Sequence, residues 1–115
     1  MIEPDAFFGV LGDTTRLRAL MLIHAEGEVC VCELTYALEE SQPKISRHLA
    51  YMREAGVVTA RREGTWMHYR LSRRLPQWSR ELIGATYGSL NEKRPFIDDR
   101  NRLLQMNDRP DRRCA

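Results

Sequence analysis

Residues 28–56 read EVCVCELTYALEESQPKISRHLAYMREAG, and the fold turns on how this stretch divides. Val31, Leu34 and Leu38 fall at i, i+3 and i+7, one face of a short helix. Glu39 and Glu40 supply a turn. Ser41 is a good N-cap and Pro43 is tolerated in a first helical turn, so a second helix starts there. Its core face carries Ile45, Leu49 and Met52, and Gly56 is its stop. The opposite face shows Pro43, Ser46, Arg47, Ala50 and Glu54, small and polar with a basic residue in the middle. Two short helices joined by a tight turn, the second capped and basic, form a helix-turn-helix signature. The second helix is sized for the major groove of double-stranded DNA. Gln42, Lys44, Ser46, Arg47 and His48 lie in the turns that reach base edges. Ser41 and Ser46 are equally placed to hold phosphates, and His48 reads equally well as a partly buried neighbour of the core stripe.

Downstream, residues 57–72 (VVTARREGTWMHYRLS) alternate on both sides of the glycine-containing turn REGT, which predicts a β-hairpin. Its arginines, Arg61 and Arg62, make it a candidate wing laid along a DNA backbone. Upstream, Pro4 opens a short apolar helix. Asp13 caps a second one in which Leu17, Leu20, Met21 and His24 recur at helical spacing before Gly27. Beyond the hairpin, Pro76 opens a further helix whose stripe of Leu82, Ile83, Thr86, Tyr87 and Leu90 has no partner left in one subunit, which predicts packing against a symmetry mate. The expected fold class is therefore mainly α with a small β-hairpin, a winged helix-turn-helix homodimer. The expected organisation is a DNA-binding and dimerisation domain over residues 1–91. A charged, mobile tail follows over 92–115, with a helical turn or two around Arg102–Met106.

The charge distribution agrees. Of the formal +2, residues 1–41 carry −6, residues 42–74 carry +6 and residues 75–115 carry +2, so the basic third coincides with the helix-turn-helix and hairpin. No apolar run approaches the roughly 18 residues needed to span a bilayer, and MIEPDAFFGV lacks the basic start of a secretory signal, so the expected location is the cytoplasm with no membrane partner. In that reducing setting three cysteines, Cys30, Cys32 and Cys114, suggest metal binding or thiol chemistry before a structural disulfide. Enzyme readings find no support: there is no glycine-rich phosphate loop, no G-x-S-x-G, no HExxH and no C-x-x-C.

The stretch from Glu28 to Leu71 resembles the arsenic-responsive branch of the ArsR/SmtB family of winged-helix repressors. The likeness rests on three motifs: E-V-C-V-C-E-L, then S-Q-P-K-I-S-R-H-L, then R-R-E-G-T-W-M-H-Y-R-L. The preceding L-G-D-T-T-R-L-R-A-L is similar to the family's pattern as well. The resemblance implies a homodimer with its N- and C-terminal helices at the interface, repression at a palindromic operator, and trivalent arsenic or antimony as inducer at Cys30 and Cys32, with no constitutive cofactor. Relatives often carry a third cysteine where this chain has Thr35, which makes Cys114 a candidate third ligand. The C-terminal-helix zinc site of some relatives has no counterpart, because residues 76–91 hold no histidine. Three alternatives remain open at this stage: a thiol-redox sensor, a cadmium or lead sensor, and a constitutive DNA-binding module with inert cysteines.

The C-V-C spacing carries a geometric expectation. Residues at i and i+2 are about 200° apart around an α-helix, whereas in an extended segment they point to one side. One ion therefore takes both thiolates only from an unwound first turn, which would couple binding to the helices that follow. A helix N-terminus lowers a thiol's pKa, with Glu28 and Glu33 working against it.

Overall fold

Caps set the helix boundaries. Helix α1 (Pro4–Leu11) opens on proline, which at this position forfeits no hydrogen bond. Asp13 caps α2 (Thr14–Glu26), its carboxylate accepting from the Arg16 N–H at 3.0 Å. Strand β1 (Glu28–Cys30) runs directly into α3 (Val31–Leu38), and after a turn Ser41 caps α4 (Gln42–Glu54) by accepting from the Lys44 N–H. Strands β2 (Val58–Glu63) and β3 (Trp66–Leu71), then α5 (Gln77–Leu90) and α6 (Phe96–Gln105), complete the chain. The computed structural model describes residues 2–107 and residue 109. The fold is a winged helix-turn-helix, with α3 and α4 as the helix pair and β2–β3 as the wing.

The wing is tighter and the sheet larger than expected. Pairing runs from Val58↔Leu71 to Glu63↔Trp66, so the turn is Gly64–Thr65 alone rather than four residues. Gly64 takes φ 62°, a conformation that a two-residue hairpin turn demands and glycine adopts freely. The unpredicted strand β1 adds to the other edge of β3 in the order β1-β3-β2, pairing Glu28↔Arg70 and Cys30↔His68. Three residues are too few for alternation to announce a strand.

Helices α2, α3 and α4 bury Leu20, Leu34, Ile45 and Leu49 against one another and against Val58 of the wing's base. Helix α5 divides the expected stripe: Ile83 is wholly buried within the subunit, Leu82 is exposed, and Thr86, Tyr87 and Leu90 are half-buried. Its neighbour Trp78 stacks on Phe8 of α1, ring centroids 6.2 Å apart, so α1 and α5 share an exposed apolar face.

The larger correction concerns residues 96–105. They form a ten-residue helix docked on α2 and α3, not a mobile tail with a turn or two of helix. Leu103 is buried, and so is Asp99. The Asp99 carboxylate takes two hydrogen bonds from Arg18, at 2.9 and 2.7 Å, and one from Arg102 at 2.8 Å. Both guanidinium groups then donate to carbonyls in the last turn of α3: Arg102 to Ala37 O at 2.6 Å and Arg18 to Leu38 O at 3.2 Å. The final carbonyls of a helix have no intrahelical donor, so these arginines satisfy groups that burial would otherwise penalise. Removing one partner of a buried pair leaves an uncompensated charge. Asp99→Ala is expected to destabilise the fold by about 3–5 kcal/mol, read as a lowered urea midpoint at unchanged slope. A loss below about 1 kcal/mol would show that α6 does not hold α3.

Candidate thiol site and nucleic-acid interface

Cys30 is the last residue of β1 and the N-cap of α3, in extended conformation at φ −86°, ψ 155°. From there its sulfur turns back over the first helical turn and accepts from the Cys32 N–H at 3.3 Å. Glu33 reciprocates, its Oε1 accepting from the Cys30 N–H at 2.8 Å. This is a capping box with a thiol in the place usually held by a hydroxyl. The outcome is that the sulfurs of Cys30 and Cys32 lie 2.8 Å apart. The expectation that the first turn must unwind to bring them together is corrected: Cys30 stands one residue outside the helix, so the 200° separation does not apply.

Cys30 is fully buried and Cys32 half-buried. Burial, then the neighbouring Cys30 sulfur, then the Glu33 carboxylate push the Cys32 thiol up to about 12. These outweigh the helix N-terminus, which pulls the other way. Glu33 itself is fully buried, and its second oxygen, Oε2, accepts from Arg109 Nε at 2.5 Å. Arg109 also donates to Glu26 Oε1 at 2.7 Å.

The sulfur pair opens into a cleft of about 620 Å³. One wall is the start of α4, through Gln42 and Ser46, another is the wing through Thr65, Trp66 and Met67, and Tyr36 and Met106 contribute from α3 and from beyond α6. Thr35 also lines it, but its hydroxyl donates to Val31 O at 2.9 Å, so the residue in the expected place of a third thiol is turned into its own helix. Cys114, the other candidate, lies outside the described residues. Among the described residues no set of three or more His, Cys, Asp or Glu gathers to hold a metal ion.

The residues expected to meet DNA divide into two groups. Gln42, Ser46, Arg47 and Arg62 are exposed, as is Ser41, whose hydroxyl is already the α4 cap. Lys44 pairs with Glu40 at 3.1 Å. Arg61 is bound to Glu28 through two hydrogen bonds, at 2.9 and 2.6 Å, and to Glu63 at 2.7 Å, so it ties the wing to β1. His48 is half-buried: its Nδ1 accepts from Arg16 Nη1 at 3.3 Å and its Nε2 lies 3.8 Å from Asp13. Burial lowers the His48 pKa, with Asp13 pulling it back up.

Arg16 was missed by the sequence reading. It sits 4.0 Å over the Tyr51 ring and donates to Gly9 O at 2.9 Å, tying α1 and α2 to the outer face of α4. A Cβ at Gly9 would come within 2.7 Å of the Tyr51 hydroxyl. The signal for Arg16 is its place in the T-T-R-L motif.

Residues 13–60 match the model of the family described as "Bacterial regulatory protein, arsR family". The chain is 47% identical over 110 residues to the arsenic resistance transcriptional regulator ArsR1 of Pseudomonas putida, covering 96% of this chain and 84% of that one. It is 47% identical over 90 residues to the arsenical resistance operon repressor of Escherichia coli, covering 78% and 77%. Among solved structures it is similar to a homodimeric winged helix-turn-helix DNA-binding domain from Mycobacterium bovis. That match has a TM-score of 0.63 and 27% identity and covers 76% of this chain and 78% of that one.

The raised Cys32 pKa has a direct readout. A thiol near 12 is protonated at neutral pH, and only its thiolate alkylates. Iodoacetamide labelling of Cys32, followed by peptide mass spectrometry, is expected to accelerate about tenfold per pH unit from pH 7 to 10. A plateau near pH 9, as for an ordinary thiol, would contradict the assignment.

Proposed function

This chain belongs to the ArsR family of bacterial regulatory proteins, and from that premise we propose that it is a homodimeric operator-binding repressor released when trivalent arsenic or antimony bonds to Cys30 and Cys32. It is a transcriptional regulator and not an enzyme. The observation that carries the proposal is the cleft: the two sulfurs form its floor, and the α4 N-terminus and the wing form its walls.

The site suits a neutral, thiophilic centre. Bonds of about 2.3 Å, as for zinc thiolates, reach both sulfurs from one atom. Arsenous acid takes them by condensation: each S–H proton leaves with an arsenic hydroxyl as water, two As–S bonds form, and one hydroxide stays on arsenic. No net proton is released, so the protonated thiol costs little. A divalent cation must instead expel thiol protons from a half-buried site and finds no set of four donors among the described residues. Cys114 is retained as a third ligand that would replace the hydroxide.

A bound centre and its remaining substituent press against Gln42, Ser46 and residues Thr65, Trp66 and Met67 of the wing, which also face the groove and the backbone of DNA. Ser41, Gln42, Ser46, Arg47 and Arg62 make the contacts, with Lys44 able to exchange Glu40 for phosphate. Arg61 and His48 act by holding the wing and the α4 flank. A differential affinity of about 1–3 kcal/mol between the two states lowers operator affinity roughly 5- to 150-fold. The exposed face shared by Phe8, Trp78 and Leu82 supports α1 and α5 as the dimer contact.

The proximity of the sulfurs favours one second reading, in which peroxide oxidises the pair to a disulfide with loss of two waters. Fluorescence anisotropy of labelled operator DNA separates the two. Arsenite under reducing conditions is expected to release the wild type, and Cys30→Ser and Cys32→Ser are expected to remain bound. The arsenite midpoint should be flat from pH 6 to 8, whereas any cadmium response should strengthen about tenfold per pH unit for each proton displaced. A weaker response in Cys114→Ser would place its sulfur on the centre, and an unchanged one leaves hydroxide there. Release by peroxide but not by arsenite would establish the second reading. Release of the double cysteine variant by arsenite would refute the site.

A further inference from the structure

We propose that Arg109 is a positioning residue for the thiol pair, acting through Glu33, so that the segment following α6 is part of the inducer site. The inference rests on the reading of Cys30 and Cys32 as that site.

The Glu33 carboxylate divides its two oxygens between two tasks. Oε1 holds the Cys30 N–H at 2.8 Å, and Oε2 is held by Arg109 Nε at 2.5 Å. The carboxylate has no exposed surface and Arg109 is only 6% exposed, so water does not substitute for either partner. The other arm of the guanidinium reaches Glu26 Oε1 at 2.7 Å, near the end of α2. Arg109 therefore braces the junction between α2, β1 and α3 from a point 76 residues away in sequence from Glu33. Three residues earlier, Met106 lines the cleft. Met106 thus supplies part of a wall of the cleft and Arg109 the counter-charge to Glu33.

A buried carboxylate stripped of its cation is left uncompensated and does not keep its place. That change loosens the grip on the Cys30 N–H. That grip keeps Cys30 in the extended conformation from which its sulfur meets Cys32, so the geometry of the pair depends on Arg109. Partners that orient a ligating side chain at one remove typically account for about 10- to 100-fold in affinity.

The test compares Arg109→Gln, Arg109→Lys and Arg102→Gln in the full chain. Arg102→Gln disturbs α6 docking without touching Glu33. Arsenite affinity is measured by equilibrium dialysis, and operator affinity by anisotropy without arsenite. Arg109→Gln is expected to weaken arsenite binding about tenfold, with Arg109→Lys recovering most of the loss and Arg102→Gln within about twofold of wild type. Operator affinity is expected to change less than about threefold in all three, because none of these residues faces DNA in the proposed complex. Equal arsenite affinity in Arg109→Gln and wild type overturns the proposal. So does an equal loss in Arg102→Gln, which would reduce Arg109 to general docking. A parallel measurement needs no arsenic: the pair is equilibrated with oxidised glutathione, which forms the Cys30–Cys32 disulfide and two reduced glutathiones. Arg109→Gln is expected to shift that equilibrium toward the dithiol by a similar factor, and no shift overturns the proposal. Should the wild type bind no arsenite, the proposed function falls while the brace is still decided by this second equilibrium.

Discussion

Helix α3 is held by its two ends, and both grips are buried carboxylate–guanidinium contacts. At the N-terminal end Glu33 joins Arg109 to the Cys30 N–H. At the C-terminal end Asp99 orients Arg18 and Arg102 onto the carbonyls of Leu38 and Ala37. Ion pairs shut away from water are tolerated only when their polar atoms are all answered, and here the surplus donors answer the helix's own unsatisfied carbonyls. The candidate site hangs on this eight-residue helix. The thiol pair is its N-cap and first turn, and the turn leading to α4 is its exit, where Glu39 adopts φ 55°. A short helix has too few internal hydrogen bonds to fix its own orientation, so its ends must be fixed from outside.

The outside element is the part of the chain least legible in the sequence. The helix-turn-helix could be read because its signals are local: Ser41 three residues from the N–H it caps, Ile45, Leu49 and Met52 at helical spacing, Asp13 beside its own helix. Helix α6 announces itself by nothing comparable. Phe96 and Leu103 are widely spaced apolar residues in a charged segment that contains Pro95, and the hydrogen-bond partners that dock it lie 65 to 81 residues away. Composition therefore reads as solvated chain while long-range ion pairs make it structure. The α5 stripe was legible but not its division: α2 covers Ile83 within the subunit while Leu82 stays exposed.

The thiol pair shows how much can hinge on a single helix boundary. The two cysteines were legible as a neighbouring pair, but a wheel drawn through both of them holds only if both are helical. With Cys30 as the cap, the geometry inverts from divergent to convergent. Arg61 and His48 carry a related lesson: a basic or titratable residue on a plausible face is claimed first by any acid or donor within reach, here Glu28 and Glu63 for Arg61, and Arg16 for His48. Residue type signals the capacity for a contact, and the neighbours decide its use.

Gln42 and Ser46 stand in two places at once, on the outward surface of α4 and in the wall of the cleft above the sulfurs. In the proposed function, input and output thus have no insulating layer between them. In evolutionary terms, that function implies that a lineage retuning these positions for a new operator retunes its inducer response in the same step. Drift in one trait must be answered by compensation in the other, and swapping α4 between relatives would transplant both traits together.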